Sequence, residues 1–272
     1  MTHSGADIAR LMSAYGLRPS RALGQNFVAD PNTVRRIARL SGAGPGSQVL
    51  EIGAGLGSLT LALAETGAAV VADETDRHLL PALRSVAEPA GVTVVEGDAM
   101  TMDLAALLAG HGGSWSMVAN LPYNVATPLV LRTLVEVPAV TDLLVMVQRE
   151  VGERMAAGPG DAAYGSVSVR IAYFARAEVV GRVPATVFVP RPRVESVLVR
   201  MERLPAPAVD PAVVSYERLA RVIKAGFGQR RKMLRRSLAG VVDPSAFERA
   251  GIRPDARAEE LSVADWGRLA AE

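Results

Sequence analysis

Along the first three quarters of the chain, short apolar runs alternate with stretches whose apolar residues recur at helical spacing. The runs lie at 48–52, 69–73, 92–96, 115–119 and 142–147, and the helical stretches at 58–66, 76–87, 102–109, 127–136 and 148–157. Apolar runs of that length, bounded by Gly, Asp and Asn, are the pattern of strands buried on both faces. Their alternation with helices predicts an α/β fold, a doubly wound, Rossmann-like parallel sheet covered on both sides. Alternating positions at 176–183 and 194–202 predict two further strands, an antiparallel pair closing the sheet. Ahead of the first strand, residues 5–15 read as a short helix and RPSRALGQNF (18–27) as a loop. Asp30 before Pro31 marks a helix start, because an Asp side chain caps free N–H groups and Pro is tolerated in the first turn. The segment LPAPAVDPAVV (204–214) breaks the pattern with three prolines and reads as a linker. Helical patterns near 215–239, 244–250 and 257–271 follow, with no clear strand. The expected division is residues 1–204, a catalytic domain with an N-terminal extension, and residues 205–272, a small helical domain.

Composition narrows the class. Nearly half the residues are hydrophobic, 49%, which is enough for a sizeable core and excludes a disordered chain. No apolar run reaches the ~18 residues a bilayer span needs, and MTHSGADIARLMSAYG has no apolar core of a secretory signal. There is no cysteine, so disulfides and thiolate metal sites are excluded. A cytoplasmic protein without a membrane partner is expected. The net charge of +2 says little, and the preference for Arg over Lys carries little functional weight. Placement says more: residues 221–236 hold seven basic residues and no acidic one.

The strongest local signal is QVLEIGAGLGSLTLALAE (48–65), a strand running into Gly53, Gly55 and Gly57 before a helix begins. Glycines let the chain turn sharply and let a ligand approach the backbone. The spacing is G-x-G-x-G, not the G-x-G-x-x-G of dinucleotide folds, which disfavours an NAD oxidoreductase. S-adenosylmethionine has no phosphate and fits such a turn. The second strand ends in VVADETDR (70–77), where an acidic residue accepts from ribose hydroxyls. Glu74 is the choice, Asp73 a competitor by position, and Asp76 reads as the cap of the next helix. The third strand ends in VEGDAM (95–100), placing Asp98 to accept from the cofactor's adenine amine. Polar residues after three successive strands line one sheet edge, where open α/β folds bind ligands.

The fourth strand ends in MVANLPYNVATP (117–128). Asn120-Leu121-Pro122-Tyr123 resembles the (D/N)-P-P-Y signature of amino-directed nucleic acid methyltransferases. An exocyclic adenine amine is a poor nucleophile, its lone pair delocalised into the ring. The Asn120 side-chain carbonyl and the Leu121 backbone carbonyl can accept both amine hydrogens and turn the lone pair outward. Tyr123 can stack on the base, and Pro122 stiffens the turn. Such catalysis is mainly positioning and electrostatics, with no strong base required.

LGQNF (23–27), EIGAGLGSLT (51–60), GDAM (97–100), NLPYNVATP (120–128), QREVGERM (148–155), YGSVSV (164–169), VFVPRPRVESV (187–197) and FGQRRKML (227–234) occur in this order. With them the chain resembles, nearly end to end, the ribosomal RNA adenine dimethyltransferases, and among these the bacterial small-subunit enzymes linked to kasugamycin sensitivity. The resemblance implies a class I methyltransferase sheet with a helical C-terminal domain. It implies dimethylation, from S-adenosylmethionine, of the N6 amines of two adjacent adenosines in the 3′-terminal hairpin loop of 16S rRNA within the 30S subunit, by a monomer. It also implies that Gln25, Asn26, Val28, Gly53, Gly55, Glu74, Asp98, Ala99 and Asn120 surround the cofactor. Asn120, Leu121 and Tyr123 would hold the target base, with Phe188 stacking on its other face. Departures are few: Ala72-Asp73 stands where a small apolar pair is usual, Val28 where leucine is common, and Met100 replaces a frequent leucine.

An adenine must leave its stack to enter a pocket, and the rest of the RNA needs a backbone-binding surface. Arg221, Lys224, Arg230, Arg231, Lys232, Arg235 and Arg236 are the candidates, with Arg18 and Arg21 extending the surface. A solvated helix face usually mixes signs, and this run does not. The rival readings are a 23S rRNA adenine methyltransferase of the macrolide-resistance type, against which the NLPYNVATP and QRRK strings weigh, and a non-catalytic, transcription-factor-like relative, against which the intact site weighs.

Overall fold

The computed structural model describes residues 2–20, 23–229 and 232–272, so Arg21, Arg230 and Arg231 lie outside the described residues. The chain runs α1 (Gly5–Ala14), β1 (Phe27–Val28), α2 (Pro31–Leu40), β2 (Gln48–Ile52), α3 (Ser58–Ala64), β3 (Ala69–Glu74), α4 (Leu80–Ala87), β4 (Thr93–Glu96), α5 (Leu104–Ala109), β5 (Trp115–Asn120), α6 (Ala126–Glu136) and β6 (Val140–Gln148). It continues with α7 (Arg149–Ala156), α8 (Ser166–Phe174), β7 (Ala175–Val183), β8 (Phe188–Val189), β9 (Ser196–Arg203), α9 (Tyr216–Gly228), α10 (Leu234–Ser237), α11 (Ala246–Arg249) and α12 (Val263–Ala271). Among the described residues no helix is long and apolar enough to cross a membrane.

The chain forms two compact units. The first comprises Met1–Gly152 and Val179–Glu202. Its sheet has the order β4-β3-β2-β5-β6-β9-β7. Strands β4, β3, β2, β5 and β6 are parallel, and β9 runs antiparallel to β6, with Leu143 opposite Met201 and Val145 opposite Val199. The parallel strands are apolar because helices cover both faces, and Val49, Leu59, Leu63, Val70, Leu83, Val118 and Met146 share one buried core. The strand order reverses between β2 and β5, and there the carboxyl ends of the strands open a crevice. The expected helix start at Pro31 is present: the Asp30 carboxylate accepts from the Thr33 N–H at 2.9 Å. One pairing was not legible in the pattern. Phe27, which ends the stretch read as a loop, and Val28 pair antiparallel with 188–189, Phe27 opposite Val189 and Val28 opposite Phe188.

The second unit comprises Glu153–Glu178 and Arg203–Glu272. A single boundary near residue 204 therefore misses the segment 153–178. The reason is packing: Tyr164, Val169 and Tyr173 are buried in the same core as Leu219, Val222, Phe247 and Trp266. The Tyr164 hydroxyl also donates to the Leu261 carbonyl at 2.8 Å. The proline-rich stretch is likewise not a free linker, because the Leu204 and Ala208 N–H groups bond to the Phe174 and Tyr173 carbonyls at 2.8 and 2.9 Å. The helix expected over 215–239 is two helices. The first ends at Gly228, and an extended Met233 precedes the four residues of α10. The last helix starts later than its pattern suggested, where Ser262 and Asp265 form a reciprocal cap before Val263.

Candidate functional site: a carboxylate-lined cavity at the strand ends

At the carboxyl ends of β2, β3 and β5 the first unit encloses a cavity of about 260 Å³. Every expected cofactor residue lines it: Gln25, Asn26, Val28, Gly53, Gly55, Glu74, Asp98, Ala99 and Asn120. Leu121 and Tyr123 line it too.

The glycine turn takes its shape from left-handed glycine conformations and one carboxylate. Gly55 and Gly57 both lie in the left-handed region, at φ 60° and 84°. A Cβ on Gly55 would come within 3.1 Å of the Phe27 ring, and one on Gly57 within 3.0 Å of Val86. The turn is tied to the end of β3 twice over. The Gly53 and Ala54 N–H groups donate to the Asp73 carbonyl at 2.9 and 3.0 Å. The Gly55 N–H donates to Glu74 Oε2 at 2.7 Å, and the Asp76 N–H to Glu74 Oε1 at 2.8 Å. Burial pushes the Glu74 carboxyl up, and these two N–H groups oppose the shift by favouring its ionised form. Beside it, Asp73 is pushed up to about 7 by burial, then by the charges of Glu74 and Asp98.

Asp76 does not cap α4; Leu79 occupies that position. One oxygen of the Asp76 carboxylate accepts from the His78 N–H at 3.0 Å, in the turn leading into the helix, and the other from Gln25 Nε2 at 2.8 Å, while Gln25 Oε1 accepts from the Ser20 N–H at 2.7 Å. The Gln25 bonds hold the N-terminal segment at the cavity wall. The same segment reaches the target-base motif: Asn120 Nδ2 donates to the Asn26 backbone carbonyl at 3.0 Å. A carbonyl only accepts, so this contact assigns the Asn120 amide and leaves Oδ1 as its acceptor at the cavity. The Tyr123 hydroxyl shares a hydrogen bond with Ser196 Oγ at 3.1 Å. On the far side, the Met100 N–H donates to Asp98 Oδ1 at 2.9 Å and fixes that turn. Arg132 of α6 secures the same turn by donating to the Ala99 carbonyl and, at 2.8 Å, to that of Met102.

Phe188 corrects the sequence reading. It does not line the cavity; it is 3% exposed, paired with Val28 and packed in the core of the first unit. An aromatic residue in a short motif carries no signal that separates a stacking platform from a core side chain. Sequence reasoning also missed Glu51 and Arg132. Glu51 had one signal, a lone carboxylate inside an otherwise apolar strand.

Among the described residues, no Lys, Arg or His lines the cavity. The walls carry carboxylates, and two of their buried oxygens, Glu51 Oε2 and Asp73 Oδ1, lack a hydrogen-bond partner. Such a lining suits a ligand with cationic groups and repels a pyrophosphate, which needs N–H or cationic donors. S-adenosylmethionine, with its sulfonium and α-ammonium, fits.

The second unit holds the cationic segment. Arg221 and Lys224 lie three residues apart on α9, Arg235 and Arg236 on α10, and Lys232 just before it. All five are exposed, and none forms an ion pair among the described residues.

The sheet order and the cavity at its switch point define an S-adenosylmethionine-dependent methyltransferase of the class I fold. Residues 17–272 match the ribosomal RNA adenine dimethylase family, and the chain belongs to it. The ribosomal RNA small subunit methyltransferase A of Nocardia farcinica is 46% identical, over 98% of this chain and 94% of that protein. Among solved structures, the 23S rRNA methyltransferase ErmE has TM-score 0.70 at 25% identity, covering 90% of this chain and 98% of its own. A dimethyladenosine transferase from Plasmodium falciparum has TM-score 0.74 at 21% identity, covering 88% and 94%, and so shares the fold.

Proposed function

We propose that the protein dimethylates the N6 amines of two adjacent adenosines in the 3′-terminal hairpin loop of 16S rRNA, acting on the 30S subunit as a monomer in the cytoplasm. The observation that carries the reading is the oriented Asn120 amide at a cavity suited to S-adenosylmethionine. When bound, S-adenosylmethionine supplies an electrophilic methyl group. Gln25, Asn26 and Val28 cover it, Gly53 and Gly55 let it approach the backbone, Glu74 accepts from its ribose, and Asp98 and Ala99 hold its adenine. Asn120 Oδ1 and the Leu121 carbonyl accept the two hydrogens of the target amine and aim its lone pair at the methyl. Tyr123, its hydroxyl anchored on Ser196, stacks against the base. The amine's extra proton leaves readily after transfer, so no strong base is needed, and the residues act by positioning.

Arg221, Lys224, Lys232, Arg235 and Arg236, together with Arg230 and Arg231, neutralise RNA phosphates. Greater identity with a small-subunit enzyme than with the 23S enzyme favours 16S rRNA. The test is transfer of labelled methyl to 30S subunits lacking the modification and, in parallel, to 23S RNA, with the product nucleosides identified. N6,N6-dimethyladenosine at two adjacent loop positions of 16S rRNA is the expected result. Transfer to 23S RNA alone would overturn the choice of substrate.

A further inference from the structure

The cavity carries more carboxylate than ribose and adenine recognition uses. Glu51, in the middle of the parallel sheet, is 2% exposed, as is Asp73 on the neighbouring strand, and both line the cavity. One oxygen of each, Glu51 Oε2 and Asp73 Oδ1, is buried without a partner. The groups facing Glu51 are Thr60 from α3 and Glu74 from β3; those facing Asp73 are Glu74 and Asp98. Along the sheet Glu51 sits between Ala72 and Val118, which offer no charge. Like-charged carboxylates crowded in a buried site, with no Lys, Arg or His among its described lining residues, cannot all ionise. Burial pushes Glu51 up to about 8, the nearby Thr60 hydroxyl opposing and Glu74's charge adding to the shift. At neutral pH the ligand-free cluster therefore retains a proton.

The methyl donor and the spent product differ by one positive charge, a sulfonium against a neutral thioether. We propose that Glu51, with Asp73 beside it, is the specificity-determining group by which the cavity separates donor from product. With the sulfonium bound, the Glu51 O–H bond would break, the proton would go to bulk water, and the carboxylate would offset the added positive charge in the cavity. With the thioether the carboxyl keeps its proton. No electrons change hands, and the charge lost by the donor on transfer leaves with the methyl. The consequence is a preference for donor over product that grows as pH rises toward 8. This inference rests on the cofactor reading above.

Calorimetry of the full chain at pH 7.0 tests it, titrating S-adenosylmethionine and S-adenosylhomocysteine in two buffers of different ionisation enthalpy. The donor should release roughly one proton more than the product. Between pH 6.5 and 7.5 the ratio of product Kd to donor Kd should rise several-fold, approaching the tenfold per unit that linkage allows. Glu51→Gln should remove the extra proton and flatten the ratio, and Asp73→Asn should reduce both. Any titration of the ligands' own amines appears in wild type and variants alike, so the difference isolates the carboxyl. Equal proton release by the two ligands in the wild type would overturn the proposal, and that comparison needs no variant to fold. Binding of neither ligand would overturn the cofactor reading instead.

Discussion

The cavity of the first unit and the cationic segment of the second are opposites in charge and in burial. The cavity gathers Glu51, Asp73, Glu74 and Asp98, the first three at or below 5% exposure. The segment carries Arg221, Lys224, Lys232, Arg235 and Arg236 on exposed surface. Buried charges act over single hydrogen bonds at low effective dielectric and answer to pH. Exposed charges act diffusely through counterions and answer to salt. On the proposed reading the same chain recognises a small cation by geometry and a large polyanion by charge density, and variants should separate the two.

The sharpest separation comes at Asn120. Asn120→Ala removes the Oδ1 acceptor that the Nδ2 donation to the Asn26 carbonyl orients, and the transfer rate should fall about 10³-fold, while donor affinity changes only a few-fold. Single-turnover transfer and calorimetry together check this. Loss of donor binding in step with the rate would mean that Asn120 serves the cofactor alone. Next is Glu74→Ala, which strips a carboxylate accepting two backbone N–H groups of the glycine turn and its flank. Donor affinity should drop about 100-fold with RNA affinity unchanged, and an RNA-binding assay showing equal losses would break the contrast between the regions.

Smaller is the effect of replacing Lys232, Arg235 and Arg236 with Gln. RNA binding should weaken about tenfold at moderate salt, and the slope of log affinity against log salt should flatten by about two units. An unchanged slope would make the segment an ordinary solvated surface. Smallest is a stability effect of the buried acids. Glu51 and Asp73 have folded-state values raised to about 8 and about 7, so the native state holds protons that the unfolded chain has lost. That stabilisation is full below the ordinary carboxylate range and is lost as pH rises through about 7 to 8. The Tm of the ligand-free protein should therefore fall by a few degrees between pH 6 and pH 8.5, and Glu51→Gln should lessen the fall. Thermal scans showing a rise over that interval would contradict the burial of uncompensated carboxylates.

The parallel strands were legible because burial on both faces leaves short apolar runs bounded by Gly, Asp and Asn. The cofactor half of the site was legible because glycines and acids follow those runs at fixed places. The rest depends on contacts between distant segments. Nothing in RPSRALGQNF announces that Phe27 and Val28 pair with Val189 and Phe188, so a strand pair read as a loop. The same pairing takes Phe188 into the core, where motif reasoning had placed it on a base. Asp76 has the local look of a cap, and only the fold shows it bonded to Gln25, fifty-one positions earlier. The helical unit drew residues from before β7 because Tyr164 and Tyr173 find their apolar partners in α9 and α12, a choice made by packing rather than by chain order.

The pairing of Phe27–Val28 with Phe188–Val189 also sets an order of events during synthesis. The N-terminal segment leaves the translating ribosome first, yet its partner strand lies some one hundred and sixty residues later. Until that strand has emerged, β2 to β5 can assemble with their glycine turn, and the segment that orients Asn120 can meet Asp76 through Gln25 and pack Phe27 on Leu56 and Leu79, but it lacks its strand partner. The nascent chain therefore has a donor-binding half well before it has a finished target-base half, and competence arrives only when the polypeptide is more than two-thirds made.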